Sequence, residues 1–431
     1  MSHKVNNNVK FLILVISISI LLVFGASSAI FMFGSVAEFF SKESYTELGI
    51  FADVIKKIRE EYVEDPDMNK VHDGAMRGLF DALDPYSTFL TREQFEELGK
   101  QGAGGSAGAG MVVSKRSDVV YVVAVEAQGA ADKANIRAGD YLLSVNDAEV
   151  HNKSLLEVNK LLSGAAGTAV KLTVFRENQT RPQDVELTLL EPPPVQVTSR
   201  ILDGNIGYLK IASLKGAAVE QAKVNLKTLI SAGAERILLD LRSCAEGEPD
   251  AGAEVANFFL KEGVIYYSQD RRGEKLNTIA ASPEKFLTDM PTALLINRST
   301  AGAAEIIAGA LKDHYRADLI GEKTFGIGSS QKTIKLKSGA AVIISTAKYS
   351  TPNGRIIQAD TARNAGIEPD YESPDTGKRQ DLAVESYFDY EEEDDIKFRK
   401  IQEKINQIQL DKAMEVLLRG ESQAEPLRKA A

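Results

Sequence analysis

The second half of the chain alternates between short runs typical of buried strands and longer runs typical of helices. The apolar runs "NIGYLKI", "RILLDLR" and "TALLINR" are each followed by a helical pattern, of which "AGAAEIIAGALKDH" is the last. Alternation of this kind is typical of a sheet that carries packed helices and crossover connections. It predicts an α/β (α+β) core domain over residues 191–375.

A smaller β domain is predicted before this core, at residues 101–190, where glycine separates short β-branched runs. The domain resembles a PDZ domain, with "GAGM" as its hydrophobic-glycine loop, and the linker "EPPPVQV" follows it. PDZ modules add a peptide as a strand at a sheet edge, and loop N–H groups receive the peptide's carboxylate. The resemblance implies peptide binding by Gly108, Ala109, Gly110 and Met111. The alternative is a flexible linker that binds nothing.

The N-terminus predicts export. Lys4 and Lys10 precede an uncharged run at residues 11–37, which exceeds the ~20 residues needed to cross a bilayer. Positive flanks stay in the cytoplasm, so residues 1–10 are predicted to be cytoplasmic and the bulk of the chain periplasmic. The prediction is a single-pass protein of the inner membrane. A signal peptide cleaved near "FGASSA" is the alternative.

Helical patterns fill residues 38–100 and return in the acidic and helical tail, residues 376–431. The stretch "NKVHDGAMRGLFDAL" predicts a helix that ends at "DPYSTFLT", and Thr91 can cap a further helix over "REQFEELGK". In the tail, Lys412 and Glu415 interrupt the apolar line of the helix. An autonomous coiled coil is therefore not predicted.

Composition excludes several classes of partner. A formal net charge of −10 argues against nucleic acid, because phosphate binding relies on a basic surface. Cys244 is the only cysteine, and the four histidines lack ligand spacing, so neither a metal site nor a cofactor is predicted. Cys244 is interpreted as a small buried residue. The stretch "DYEEEDD" is interpreted as a solvated acidic segment.

Several motifs in one order carry a family resemblance: "ALDPYSTFLT", the PDZ region, "NIGYLKI", "ILLDLR", "GEKTFGIGSSQ", "AKYSTPNGRIIQ" and "GIEPD". Together they resemble the C-terminal processing peptidases of serine peptidase family S41, over roughly residues 55–370. The resemblance implies a PDZ domain that captures the C-terminal segments of exported proteins. It also implies a core that cuts with a serine activated by lysine, and an oligomer formed through the terminal helices.

Three loops depart from the family pattern. The nucleophile motif S-A-S-A-S-E-I, matched at Glu305 and the isoleucine after it, places Gly302 at the attacking serine. The base motif T-F-G-K-G reads "TFGIG", so Ile327 stands at the lysine, while Gln331 matches the family's helper glutamine. In the oxyanion-hole motif N-N-P-G-G, only Gly247 is kept. The resemblance therefore implies that the Ser–Lys dyad is missing.

A serine needs a neighbouring base to become a nucleophile, and Glu246 in the oxyanion loop would oppose a developing negative charge. These departures predict a pseudopeptidase that binds C-termini and regulates or scaffolds proteolysis. A displaced nucleophile, Ser299 or Thr300 with Lys323, is the enzymatic alternative. A structural subunit that assembles with itself or with an active relative is the third hypothesis.

Overall fold

The computed structural model describes residues 42–100, 107–116, 118–176, 179, 181–194, 197–359, 364–374 and 394–419. Contacts divide the chain into two compact units, Met1–Ala75 and Met76–Ala431. The predicted anchor at residues 11–37 lies outside the described residues. Among the helices that are described, none combines the length and apolar character needed to span a membrane.

The first unit contains helix α1 (Lys42–Glu61) and the start of helix α2 (Met68–Asp81). Large apolar side chains of α1, including Ile50 and Val54, are exposed. The second unit continues with strand β1 (Thr88–Leu90) and helix α3 (Arg92–Lys100).

Thr91 caps α3, as the sequence predicts. The N–H of Gln94 donates to Thr91 Oγ1 (3.3 Å), and Gln94 Oε1 accepts from the N–H of Thr91 (2.9 Å). This reciprocal pair satisfies two N–H groups at the start of the helix.

The predicted PDZ region forms a separate antiparallel sheet with a small hydrophobic core. Its elements are β2 (Ala107–Gly108), β3 (Met111–Arg116), β4 (Val119–Val125), α4 (Ala130–Lys133), β5 (Tyr141–Val145), β6 (Ala148–Glu149), α5 (Leu155–Leu161), β7 (Ser163–Gly164), β8 (Ala169–Phe175) and β9 (Gln183–Thr188). The strand order is β3-β4-β5-β8-β9, with β6 on β5, while β2 pairs with β7. Strand β3 therefore lies at an edge of the sheet.

In the residues that the structure describes, the core domain contains two sheets. Its elements are β10 (Val197–Leu202), β11 (Ile206–Ile211), α6 (Ala218–Ser231), β12 (Arg236–Asp240), α7 (Pro249–Asn257), β13 (Val264–Gln269), β14 (Lys275–Ala280), a 3₁₀ turn (Pro283–Lys285), β15 (Thr292–Ile296), α8 (Ala303–Asp313), β16 (Ala317–Gly321), β17 (Ser329–Lys335), β18 (Ala341–Ser350) and β19 (Tyr371–Glu372). The larger sheet has the order β10-β11-β12-β15-β16-β19 and is parallel except at β10. The second sheet joins β1, β18, β13 and β14, with β17 on β18. The strand–helix alternation predicted from the sequence is confirmed.

Side chains that alternate along the strands of the larger sheet divide its core in two. Leu209, Leu239 and Leu294 belong to the cluster that includes α6, α7 and α8. Leu238 and Leu295 belong to a second cluster, in which Ala413, Val416 and Leu417 of helix α9 (Asp394–Arg419) take part. The helix within the predicted tail thus packs on the core sheet.

Candidate functional site

The predicted nucleophile position lies in a sharp strand-to-helix turn between β15 and α8. Gly302 has φ 61° and ψ −119°, a region that glycine enters at little cost and other residues rarely adopt. Turns of this kind expose the nucleophile in some hydrolases. Among the described residues, a Cβ at position 302 would meet only the carbonyl oxygen of Ala245, at 3.9 Å. The turn therefore has room for a side chain that the sequence does not provide.

Glu305 joins the turn at Gly302 to the loop that carries Ile327. Its Oε2 accepts from the N–H of Gly302 (2.9 Å) and from the N–H of Ile327 (2.8 Å). Its Oε1 accepts from the N–H of Gly326 (2.7 Å) and from Thr324 Oγ1. The carboxylate is fully buried. Two loops that the sequence separates are therefore adjacent in the fold.

Burial raises the pKa of Glu305 to about 7, and its hydrogen bonds with Thr324, Ile327, Gly302 and Gly326 oppose this shift. Sequence reasoning used this residue only to align a motif. The signal that could have found it is its position, three residues after the N-cap of a helix, where a carboxylate reaches back to the N-cap N–H.

Gln331 points elsewhere. Its amide donates to Ser329 Oγ (2.8 Å) and to Ser345 Oγ (3.3 Å), on strands β17 and β18. Within the described part of the chain, none of its hydrogen bonds reaches Gly302 or Ile327. The structure thus brings two of the three predicted catalytic positions, Gly302 and Ile327, together and leaves the third, Gln331, on strand β17.

Close packing requires a glycine at position 247, in the loop that matches the family's oxyanion-hole motif. It has φ 131°, and a Cβ there would lie 2.4 Å from Cβ of Leu214. The carboxylate of Glu246 forms an ion pair with Lys215. The same loop contacts the turn before α8, because the N–H of Ala301 donates to the carbonyl of Cys244 (2.9 Å). Cys244 itself is buried, as predicted.

The residues of the displaced-nucleophile hypothesis are all engaged elsewhere. Ser299 Oγ donates to the carbonyl of Val123 in β4 (2.6 Å), and Thr300 Oγ1 donates to the carbonyl of Leu241 (2.9 Å). Both hydroxyl side chains are buried. Lys323 Nζ lies 2.8 Å from a carboxylate oxygen of Glu368. The two hydroxyls thus act as structural hydrogen-bond donors, and Lys323 forms an ion pair with Glu368.

The PDZ sheet contacts these loops directly. Besides the bond from Ser299 to β4, the ring of Tyr121 on β4 lies 6.0 Å from the ring of Phe325, which precedes Gly326 in the base loop. Sequence reasoning missed both contacts, since they join residues far apart in the chain.

Two of the four N–H groups in the candidate peptide-binding loop are already used. The N–H of Gly108 donates to the carbonyl of Leu190 (3.0 Å), and that of Ala109 to the carbonyl of Leu162 (2.9 Å). In the described part of the chain, the N–H groups of Gly110 and Met111 make no such bond outside the strand ladders, so they are the candidates for binding a ligand carboxylate. Gly110 has φ 69° and packs against residues 129 and 130, where a Cβ would approach within 3.2 Å.

Comparison with known proteins assigns both domains. The model of peptidase family S41 matches residues 205–373, and the PDZ domain model matches residues 107–187. A carboxy-terminal-processing protease of Bartonella bacilliformis is 30% identical over 352 residues, which is 81% of this chain and 80% of the relative. A carboxyl-terminal-processing protease of Synechocystis sp. is 31% identical and covers 73% of this chain and 74% of its own length.

A solved photosystem II D1 C-terminal processing protease superposes with a TM-score of 0.62 at 26% identity, over 75% of this chain and 92% of that protease. The fold and loops described above are thus those of a PDZ-containing peptidase scaffold. The chain belongs to peptidase family S41, among homologues of the carboxy-terminal-processing proteases.

Proposed function

We propose that this chain is a catalytically inactive S41 homologue that binds protein C-termini through its PDZ domain and so regulates or scaffolds proteolysis. The supporting observation is the junction at Glu305, which receives the N–H groups of both Gly302 and Ile327. The two positions from which the family resemblance expects a hydroxyl and an amine lie side by side. Their side chains are a hydrogen and an apolar isoleucine, and neither transfers a proton.

The alternative, an active endopeptidase with a displaced nucleophile, requires a hydroxyl that can lose its proton to a neutral amine. Ser299 and Thr300 are buried and donate to backbone carbonyls. Lys323 is paired with Glu368. These contacts favour the inactive scaffold.

The proposed ligand is the free C-terminus of an exported protein. On this proposal the chain is anchored in the inner membrane by residues 11–37, and the PDZ domain faces the periplasm. The bound C-terminus is then presented to an active family member or shielded from it. Assembly with such a member, or with further copies of this chain, is part of the same proposal.

Two measurements on the full chain in detergent test the proposal. In the first, the protein is incubated with a soluble protein that ends in apolar residues and, separately, with a fluorophosphonate that acylates reactive serines. We expect neither cleavage nor labelling. Cleavage that is abolished by Ser299→Ala or Thr300→Ala would establish the enzymatic alternative.

The second measurement is binding of a fluorescent peptide with an apolar C-terminus, compared with the same peptide amidated. We expect the free carboxylate to bind more tightly. Gly110→Ala should weaken binding because its Cβ meets the backbone of residues 129 and 130. Gly139→Ala is the matched control, since Gly139 also has a positive φ but its Cβ meets nothing. Equal binding of both peptides would remove the PDZ proposal.

A further inference from the structure

The groove of the PDZ domain runs between strand β3 and helix α5. In the described part of the chain, β3 pairs only with β4, so its other edge faces α5. The loop at residues 108–111 lies by the C-terminal end of α5, because Ala109 donates to the carbonyl of Leu162. The far end of the groove lies by the start of α5, where Lys115 Nζ contacts the carbonyl of Lys153 (3.4 Å).

This far end is occupied by the chain itself. The connector, defined here as residues 81–87, passes from the end of α2 to β1. Tyr86 packs against the PDZ core, and its hydroxyl lies 3.4 Å from Ser114 Oγ. Asp81 places a carboxylate oxygen 3.0 Å from Lys115 Nζ. Ser114 and Lys115 are only 2% and 6% exposed.

The burial of Lys115 is informative, because lysine is almost never buried unless it is paired. The ammonium group lies between Asp81, Asp118 and the carbonyl of Lys153, and so ties the connector to both walls of the groove. Tyr86 also faces α5 across a cavity that Leu155 and Asn159 line. The connector therefore stands where a long ligand would continue along β3.

We propose that the connector limits this PDZ domain to the last two or three residues of a C-terminus. The inference rests on the proposed function, that this groove binds C-termini at all. A ligand whose carboxylate lies at Gly110 and Met111 runs antiparallel along β3, so its earlier residues lie opposite later residues of the strand. Met111, Val112 and Val113 are within its reach. The next two positions, Ser114 and Lys115, are covered.

The experiment measures binding of fluorescent alanine-based peptides to the full chain. The peptides have three, five or eight residues, share the ending Val-Leu-Ala, and are made with a free or an amidated carboxylate. In the wild-type protein we expect affinities that agree within about twofold across the three lengths. An eight-residue peptide that binds fivefold or more tightly than the three-residue peptide would overturn the inference.

A variant pair locates the effect. Tyr86→Ala combined with Asp81→Ala opens the far end, so the eight-residue peptide should gain about fivefold in affinity from added ladder hydrogen bonds while the three-residue peptide stays unchanged. Tyr86→Phe keeps the ring in place and should behave as wild type. If the opened variant still shows no length dependence, the connector is not the limit and the inference fails. Loss of the free-carboxylate preference at every length would instead refute the proposed function.

Discussion

Replacing Glu305 with glutamine removes one of two oxygens that join the loops of the candidate site. Each oxygen of the carboxylate accepts from two donors, namely Gly302 and Ile327 at Oε2, and Gly326 and Thr324 at Oε1. A glutamine carries one oxygen and one amide NH₂ group. Whichever way the amide is turned, two donors lose their acceptor and face another donor.

The magnitude follows from these contacts. A buried donor left without an acceptor costs about 1–3 kcal/mol, so two such donors with partial relaxation destabilise the fold by about 3 kcal/mol. The chain has no tryptophan, so urea unfolding is followed by far-ultraviolet circular dichroism. We expect the midpoint of the core-domain transition to fall, and limited proteolysis to cut first near Gly302 and Ile327.

Glu157→Gln is the matched control. Glu157 is also the third residue of its helix, and its Oε2 accepts from the N–H of the N-cap residue Ser154 (2.9 Å). The site is only half-buried, and glutamine serves in such a cap as well as glutamate. We expect a loss below about 1 kcal/mol. Equal losses in the two variants would refute the assigned role of Glu305.

The raised pKa of Glu305 predicts that the stability loss in Glu305→Gln depends on pH. In the folded protein burial raises the pKa of Glu305 from 4.5 to about 7. Between these values the folded state binds a proton that the unfolded state has released, so the stabilisation is full at lower pH and is lost as the pH rises through 7. The excess stability of wild type over Glu305→Gln should therefore shrink, by at most about 1.4 kcal/mol per pH unit. A difference that does not change with pH would contradict this account.

Three further substitutions have expected outcomes in the same unfolding assay. Gly302→Ala should cost about 1–2 kcal/mol, from its positive φ alone, since its Cβ has room. Gly247→Ala should cost about 3 kcal/mol or more, because a positive φ is combined with overlap onto Leu214. Equal losses of stability for Gly302→Ala and Gly247→Ala would show that the overlap with Leu214 adds nothing to the cost of the positive φ. Asp240→Asn leaves Arg242 buried without its charged partner and should cost about 3–5 kcal/mol. Burial alone would raise the pKa of Asp240, but the Arg242 guanidinium holds this pKa below its usual range. The stability advantage of wild type over Asp240→Asn should therefore be present at neutral pH and disappear in acid. An advantage that persists in acid would contradict this pairing.

Much of the fold follows from local patterns. The alternation of apolar strands and helices predicts the core sheet with its crossover helices, and the short β-branched runs predict the strands of the PDZ sheet, β4 and β5 among them. Thr91 forms the predicted cap, with Gln94 as its partner. Each of these features depends on side chains a few residues apart, so periodicity and spacing carry the information.

The site was predictable only in part. Motif spacing identified Gly302, Ile327 and Gln331 as corresponding positions, yet it gave no reason to separate Gln331 from the other two. The sequence also could not predict the role of Ser299, since its hydroxyl donates to the carbonyl of Val123, 176 positions earlier in the chain. Contacts of this range arise from domain packing and leave no local periodicity.

The sequence by itself determined which chemical groups stand in each loop, because residue identity needs no coordinates: a glycine, an isoleucine and a single cysteine. Tertiary structure alone decided what these groups meet. Folding buries Glu305 between two loops, lays Tyr86 over β3 and, in the candidate peptide-binding loop, joins two N–H groups to distant carbonyls. The physical reason is that hydrogen-bond donors buried away from water must find acceptors wherever packing brings them, and packing is a property of the whole chain.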